Sequence, residues 1–301
     1  MTAAATRLFV ATSEHERFEE FCAACQRDRY VGLCFGSPGI GKTVSARQVS
    51  RAAEFEAIRD PASDHLEQLE ELRGLTSLLY TPDVINGPRT VTDHILLLRS
   101  RLLSVEQMSR SSPSRGDAYK LPEGAREIAG GRIVIVPKDK RKFIAMQEPI
   151  GPRAYLHPLR LLIVDEADRL KTASLEQLRH LFDRGAFGLI LIGMPGIEKR
   201  LARYPQLYSR VGFVHHYRPL GTDEMRAILL TAVSKLVEAP PQRGLADPVV
   251  LAEILRITGG NLRLVVRLLT QIARVVEVNE TDVVSMDIVS AARESLVIGS
   301  S

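Results

Sequence analysis

The sequence contains no tryptophan, and aromatic residues make up only 5% of its 301 positions. A base-stacking platform for single-stranded nucleic acid needs several aromatic faces in succession, so none is expected here. No apolar run approaches the ~20 residues that span a bilayer. Residues 1–11 lack a basic segment followed by a long apolar core. The sequence therefore predicts neither a membrane span nor a signal peptide, and the expected location is cytoplasmic. Cysteine is scarce, at three residues. Cys22 and Cys25 form a C-x-x-C, but no second cysteine pair and no nearby histidine pair completes a metal site. They lie on a helix-patterned stretch in which Ser13 and Glu16 have capping-box spacing, and they are expected to pack as small reduced hydrophobes. Charge of one sign is not in large excess: 40 basic against 36 acidic residues leave +4, which permits a polyanionic partner without requiring one. There is no internal repeat.

What the chain does carry is Gly36-Ser37-Pro38-Gly39-Ile40-Gly41-Lys42-Thr43, the G-x-x-x-x-G-K-[ST] phosphate-binding loop. An apolar, strand-like run, Tyr30–Phe35, precedes it, and helical spacing begins at Val44. Strand, glycine loop and helix form the context the motif needs. Glycines let successive backbone N–H groups point at phosphate oxygens, and the helix N-terminus adds partial positive charge. The spacing predicts an ATP site lined by Gly36 through Val44. Lys42 reaches the β- and γ-phosphates, and the Thr43 hydroxyl is a ligand for Mg²⁺.

Five strand-like runs alternate with helical ones: Tyr30–Phe35, Ser77–Tyr80, Arg160–Val164, Phe187–Ile192 and Gly212–Tyr217. Such alternation predicts an α/β fold with a five-stranded parallel sheet and helices on both faces. From Gly221 no strand is evident, and helical patterns cover Asp223–Val237, Pro248–Ile257, Leu262–Val276 and Val283–Ser295. The expected division is an α/β nucleotide-binding domain over residues 1–220 and an all-helical domain over 221–301. Glu54–Gly74 is acidic and helix-prone. An insertion of about 104–158 opens on a loop-like Ser109–Gly116 and continues with Arg132–Val136, a basic run and Phe143–Met146, which reads as a β-hairpin with a basic tip.

Leu161-Leu162-Ile163-Val164-Asp165-Glu166 is an apolar strand ending in two carboxylates, the Walker B pattern. Asp165 is expected to hold Mg²⁺, directly or through water, and Glu166 to orient and deprotonate the attacking water. The later strand ends in Gly193 and Met194, where this architecture usually offers a polar side chain to the γ-phosphate. Arg210, just before the last strand, is either an arginine finger supplied across a subunit interface or a surface ion pair; Arg203 is the second candidate. Asn261 is placed to cap the helix that follows Gly259-Gly260. Arg263, one turn in, either reaches back to the nucleotide phosphates or is solvated.

This order of parts resembles the AAA+ ATPases over nearly the whole chain. More narrowly, Asp165–Lys171, Ile192–Glu198 and Gln206–Arg210 resemble the transposon target-selection ATPases of the MuB/TniB/TnsC family. The resemblance implies a homo-oligomer, ring or filament, that hydrolyses ATP slowly until it assembles on double-stranded DNA and that recruits a transposase or integrase. It departs from the family at Met194 and in the length of the insertion. Duplex binding without sequence preference needs Lys and Arg aimed at phosphates. Lys138, Lys140, Arg141 and Lys142 at the basic tip are the first candidates, with a solvated turn as the alternative; Arg99, Arg101, Arg110 and Arg115 are the second set. The rival function is a nucleotide-gated protein scaffold or signalling switch with slow or no hydrolysis.

Overall fold

Short apolar runs set the sheet. A computed structural model describes residues 9–58, 69, 71–111, 125–128, 132–135, 158–231, 233 and 243–296. In chain order its elements are α1 (Ser13–Asp28), β1 (Val31–Phe35), α2 (Lys42–Val49), α3 (Ala52–Ala57), β2 (Ser77–Tyr80), α4 (Pro88–Ser111), β3 (Ala125–Ile128), β4 (Arg132–Ile135), β5 (Leu161–Val164), a 3-10 turn (Ala167–Arg169), α5 (Thr172–Arg184), β6 (Gly188–Gly193), α6 (Ile197–Leu201), α7 (Pro205–Tyr208), β7 (Val211–His216), α8 (Thr222–Thr231), α9 (Pro248–Thr258), α10 (Leu262–Val278) and α11 (Met286–Glu294).

Five strands form one sheet in the order β2-β5-β6-β1-β7. The parallel register runs Ser77–Tyr80 beside Leu161–Val164, and Leu161–Val164 beside Gly188–Leu191. Every residue of β5 and β6 is buried, because central strands of a parallel sheet are covered on both faces. β7, at the edge, alternates half-buried and exposed residues instead. The five-stranded parallel sheet with helices, and the helical C-terminal part, match the expected fold class.

Two compact units divide the chain. One takes residues 21–34 and 46–215 and contains most of the sheet. The other takes the described residues of 9–20, 35–45 and 216–296. In this second unit a core including Met225, Ile254, Val265, Leu268 and Ile272 is built from the apolar faces of α8–α11. Asp247 caps α9 through the N–H groups of Val249 and Val250. Ser285 caps α11 by accepting from the Ile288 N–H, which starts that helix at Met286 rather than at Val283.

Several local expectations are corrected. The cap of α1 is Thr12, not Ser13: the Thr12 hydroxyl accepts the His15 N–H at 3.1 Å, and the Thr12 carbonyl accepts the Glu16 N–H. A cap is the residue whose side chain meets the N–H three positions on, and here that residue is one earlier. α4 continues through Ser109–Ser111, where a loop was expected; the Ser109 hydroxyl donates to the Glu106 carbonyl, so this serine bonds inside the helix. The described residues contain a hairpin other than the expected one. β4 pairs antiparallel with β3, upstream of it, in the register Ala125↔Ile135 to Ile128↔Arg132. The chain between these paired strands is 129–131, so the basic run 137–142 is not the tip of this hairpin. Lys138, Lys140, Arg141 and Lys142 lie outside the described residues, as does residue Phe143–Met146 of the expected pairing.

Cys22, Cys25 and Cys34 are buried and form no disulfide. Burial first, and the Asp28 carboxylate second, push the Cys25 thiol up to about 12. This thiol is a packed hydrophobe rather than a nucleophile. Among the described residues no helix is long and apolar enough to cross a membrane.

Candidate functional site

The phosphate loop lies between β1 and α2, as its sequence context requires. The Lys42 ammonium donates to two carbonyls of its own loop, Gly36 at 2.5 Å and Ser37 at 2.8 Å, and the residue is buried. The cation is thereby held by carbonyls of the loop itself. α2 begins with the Ser45 N–H bonded to the Gly41 carbonyl at 2.9 Å. Thr43 and Val44 are exposed in its first turn.

Within the same unit, Asn261 and Arg263 are joined to this loop. Asn261 caps α10, its Oδ1 accepting from the Arg263 and Leu264 N–H groups. Its Nδ2 donates to the Pro38 carbonyl at 2.7 Å, and the Arg263 N–H also donates to the Gly39 carbonyl at 2.9 Å. Gly39 has φ +81°, and a Cβ there would lie 2.7 Å from Asn261 Oδ1 and 2.9 Å from Arg263 Cβ. Only glycine allows the loop and the helix start to approach this closely. The Arg263 side chain is exposed.

A buried polar chain supports α2 from below. The Ser45 hydroxyl meets the Tyr217 hydroxyl at 2.7 Å and His15 Nδ1 at 2.9 Å, and His15 Nε2 meets Glu19 at 3.1 Å. Sequence reasoning missed this chain. Tyr217 and His15 carry no motif, and only folding brings them to Ser45.

The carboxylates belong to the sheet unit. Asp165 follows β5, is buried, and donates its N–H to the Tyr80 carbonyl at 2.9 Å. Its Oδ1 accepts the Glu166 N–H at 2.9 Å. Glu166 itself is a non-glycine residue in the left-handed region, φ +51° and ψ +41°. Such a backbone costs a non-glycine residue about 1–3 kcal/mol, and Arg29, Arg51 and Glu280 share it. The Glu166 carboxylate is ion-paired with Arg169. Burial, and then the Asp83 carboxylate, raise the pKa of the Tyr80 phenol beside this strand end.

At the end of β6, Asp168 accounts for the missing polar side chain. Its Oδ2 accepts the Met194 N–H at 2.7 Å, and a Cβ on Gly193 would lie 2.6 Å from that same oxygen. Asp168 occupies the space that a side chain at 193 would need. The Asp168 and Leu170 carbonyls in turn accept from Arg200. Arg210 is held by Asp183, at 2.5 and 2.8 Å, and bonds the Gln206 carbonyl. Arg203 is exposed.

Of the second set of basic candidates, Arg101 is committed to the interior. It donates to the Phe55 and Ile58 carbonyls and lies 4.9 Å over the Phe55 ring. Side chains of Arg110 and Arg115 lie outside the described residues. A different basic face was overlooked: Arg263, Arg267 and Arg274 are exposed along one stripe of α10, with no acid in that helix before Glu277. The i, i+4, i+11 spacing that puts them on one face was legible in the sequence.

Residues 25–201 match the family described as AAA domain. The chain is 35% identical over 295 residues, 97% of each chain, to a Staphylococcus aureus protein called "Potential ATP-binding protein". Its fold resembles the Aeropyrum pernix ORC1 protein in complex with DNA, with TM-score 0.54 and 16% identity, covering 97% of this chain and 67% of that one. It also resembles the Aeropyrum pernix ORC2 protein in ADPNP–ADP complexes, with TM-score 0.51 and 16% identity over 94% and 67% of the two chains. A Thermotoga maritima RuvB mutant is similar at TM-score 0.50 and 16% identity over 95% and 71%. The family match spans more than half of the chain and carries the phosphate loop and the strand-end carboxylates alike, so this chain belongs to the AAA family of P-loop ATPases.

Proposed function

We propose that this protein is an ATP-dependent DNA-binding AAA+ ATPase that serves DNA transposition as target selector and transposase activator. The observation that carries the nucleotide part is the caged Lys42 ammonium in a loop whose Pro38 and Gly39 carbonyls hold the start of α10. ATP phosphates are bound by residues 36–44, and Arg263 reads their state from the first turn of α10. The division into a nucleotide-binding domain, 1–220, and a helical lid, 221–301, belongs to this reading. So does assembly into a homo-oligomer, in which Arg210 serves a neighbouring subunit's nucleotide.

Glu166 takes a proton from the attacking water. Thr43 offers a hydroxyl and Asp165 a buried carboxylate, each a hard oxygen donor of the kind Mg²⁺ takes. The ion would supply neutralisation of charge on the β- and γ-phosphates. The name of the Staphylococcus aureus relative supports ATP as the nucleotide.

Double-stranded DNA as partner is supported by the fold shared with an ORC1 protein solved on DNA, and by the arginine stripe of α10. The transposase partner rests on the likeness of Asp165–Lys171, Ile192–Glu198 and Gln206–Arg210 to target-selection ATPases. Met194 favours the rival reading, a nucleotide-gated protein scaffold with little hydrolysis, because β6 itself offers no polar side chain at its end and the Asp168 carboxylate that stands there is engaged by the Met194 N–H. The test is phosphate release with and without duplex DNA. Stimulation by duplex supports the DNA reading. No duplex binding with ATP, ADP or no nucleotide replaces it with the scaffold.

A further inference from the structure

The Glu166 carboxylate is bound to a surface loop through one residue. Arg169 stands three positions on, in the 3-10 turn, and one guanidinium nitrogen pairs with Glu166 Oε2. The other terminal nitrogen donates to the Pro82 carbonyl at 3.1 Å. Arg169 is held from its backbone as well: its carbonyl accepts from Asn86 Nδ2 at 3.0 Å. Asn86 is buried, donates also to the Asp83 carbonyl at 2.9 Å, and accepts from the buried Ser174 hydroxyl at 3.0 Å. Both ends of Arg169 are therefore fixed to residues 82–86, between β2 and α4.

We propose that Arg169 is the positioning residue for Glu166, and that the 82–86 loop sets where Arg169 stands. The proposal rests on the reading of Glu166 as the general base. Both members of the pair are more than a third exposed, at 39% and 46% of their side chains, so water screens their attraction and the pair adds little to stability. Its effect is orientation. A half-exposed glutamate on a left-handed backbone has several accessible rotamers, and the guanidinium selects one. Arg is suited to this because its rigid planar fork holds two acceptors in a fixed relative geometry, here a carboxylate and a carbonyl, whereas the freely rotating donors of a Lys ammonium fix no such plane. The loop that anchors Arg169 carries Val84 and Ile85 at its tip, 76% and 87% exposed.

The experiment measures kcat and KM for ATP hydrolysis by phosphate release, on the full chain, together with nucleotide affinity. Arg169→Ala should lower kcat about tenfold, a fraction of what a general base contributes, with KM and affinity within about twofold of wild type because ground-state binding is untouched. Arg169→Lys should recover part of the loss. Asn86→Ala should lower kcat in the same direction. The double variant should be no slower than Arg169→Ala alone, since both act through one contact. Melting temperature checks that Asn86→Ala folds; Arg169→Lys carries the test if it does not. Unchanged or raised kcat in Arg169→Ala, an equal loss of affinity, or additive losses would overturn the proposal. Wild-type turnover in Glu166→Gln would instead overturn the assignment of the base, and this inference with it. If Glu166→Gln is dead and Arg169→Ala is normal, the base stands and the positioning role falls.

Discussion

Asn261 and Pro38 are 223 positions apart in the chain, yet the Asn261 side-chain amide donates to the Pro38 carbonyl at 2.7 Å. One asparagine thus caps α10 with its oxygen and holds the phosphate loop with its nitrogen. Asn261→Ser keeps a cap and loses the second bond; Asn261→Ala loses both. Cap loss costs about 1 kcal/mol, so Asn261→Ala should melt below Asn261→Ser. Amide exchange of residues 262–266 should respond to added ATP in wild type, and much less in Asn261→Ser. Gly39→Ala should be worse than either, by about 1–2 kcal/mol for its left-handed backbone alone. An unaltered ATP response in Asn261→Ser would count against this link.

Binding and turnover should separate. Lys42→Ala removes the cation caged by the loop and should abolish ATP binding. Glu166→Gln keeps the shape of the side chain and removes the base, so binding should persist while turnover falls by about 10²-fold or more. Fluorescent nucleotide titration and phosphate release on both variants give the answer.

Arg210 is held by Asp183 within its own unit. If it acts on a neighbouring subunit, hydrolysis per subunit should rise with protein concentration, and Arg210→Ala should bind ATP without hydrolysing it. Mixing Arg210→Ala with Glu166→Gln should restore some activity, since the two defects fall on opposite faces of the interface. Concentration-independent turnover by a monomer would sink the assignment.

The α10 stripe makes a separate prediction about duplex DNA. Arg267→Ala and Arg274→Ala should weaken binding about equally for all sequences. Each should flatten the log–log salt dependence by roughly one unit. Neutralising Lys138, Lys140, Arg141 and Lys142 tests the other basic segment by the same titration. The segment whose removal leaves both affinity and slope unchanged does not touch phosphate.

Cys25, with its thiol pushed up to about 12, should resist alkylation in the folded protein at pH 8 and react on unfolding. Its folded pKa is raised above the unfolded value. The native state therefore keeps a proton that the unfolded chain releases, and the stability linked to it is full below about pH 8.5 and is lost as pH rises toward 12. Urea midpoints of Cys25→Ala and wild type between pH 7 and 10 should converge at the alkaline end.

Local chemistry was legible in the sequence because it is written in neighbouring residues. The phosphate loop needs glycines and Lys42 at fixed spacing. Leu161–Val164 is a short apolar run of the kind a central strand covered on both faces uses, and the acids after it fall at the end of that strand. Asn261 was readable as a cap because it precedes an amphipathic helix. Periodicity would also have disclosed the arginine stripe of α10. Where local signals compete, the reading slipped: Thr12 and Ser13 are both good caps, and residues 125–128 and 143–146 are both plausible partners for 132–135. Hydrogen bonds, not composition, decided for Thr12, and they pair 125–128 with 132–135; residues 143–146 lie outside the described residues.

The sequence by itself determined the fold class, and it named the candidate phosphate-binding and carboxylate groups, because spacing within one loop or one strand is local. Only tertiary structure decided what those groups lean on. The Tyr217–Ser45–His15 chain, the grip of Asn261 on Pro38, the occupation of the β6 end by Asp168 and the tether from Glu166 through Arg169 to Pro82 and Asn86 each join residues far apart in the chain. No local pattern encodes such a pairing, since a hydrogen bond depends on where two atoms come to rest once the core has packed.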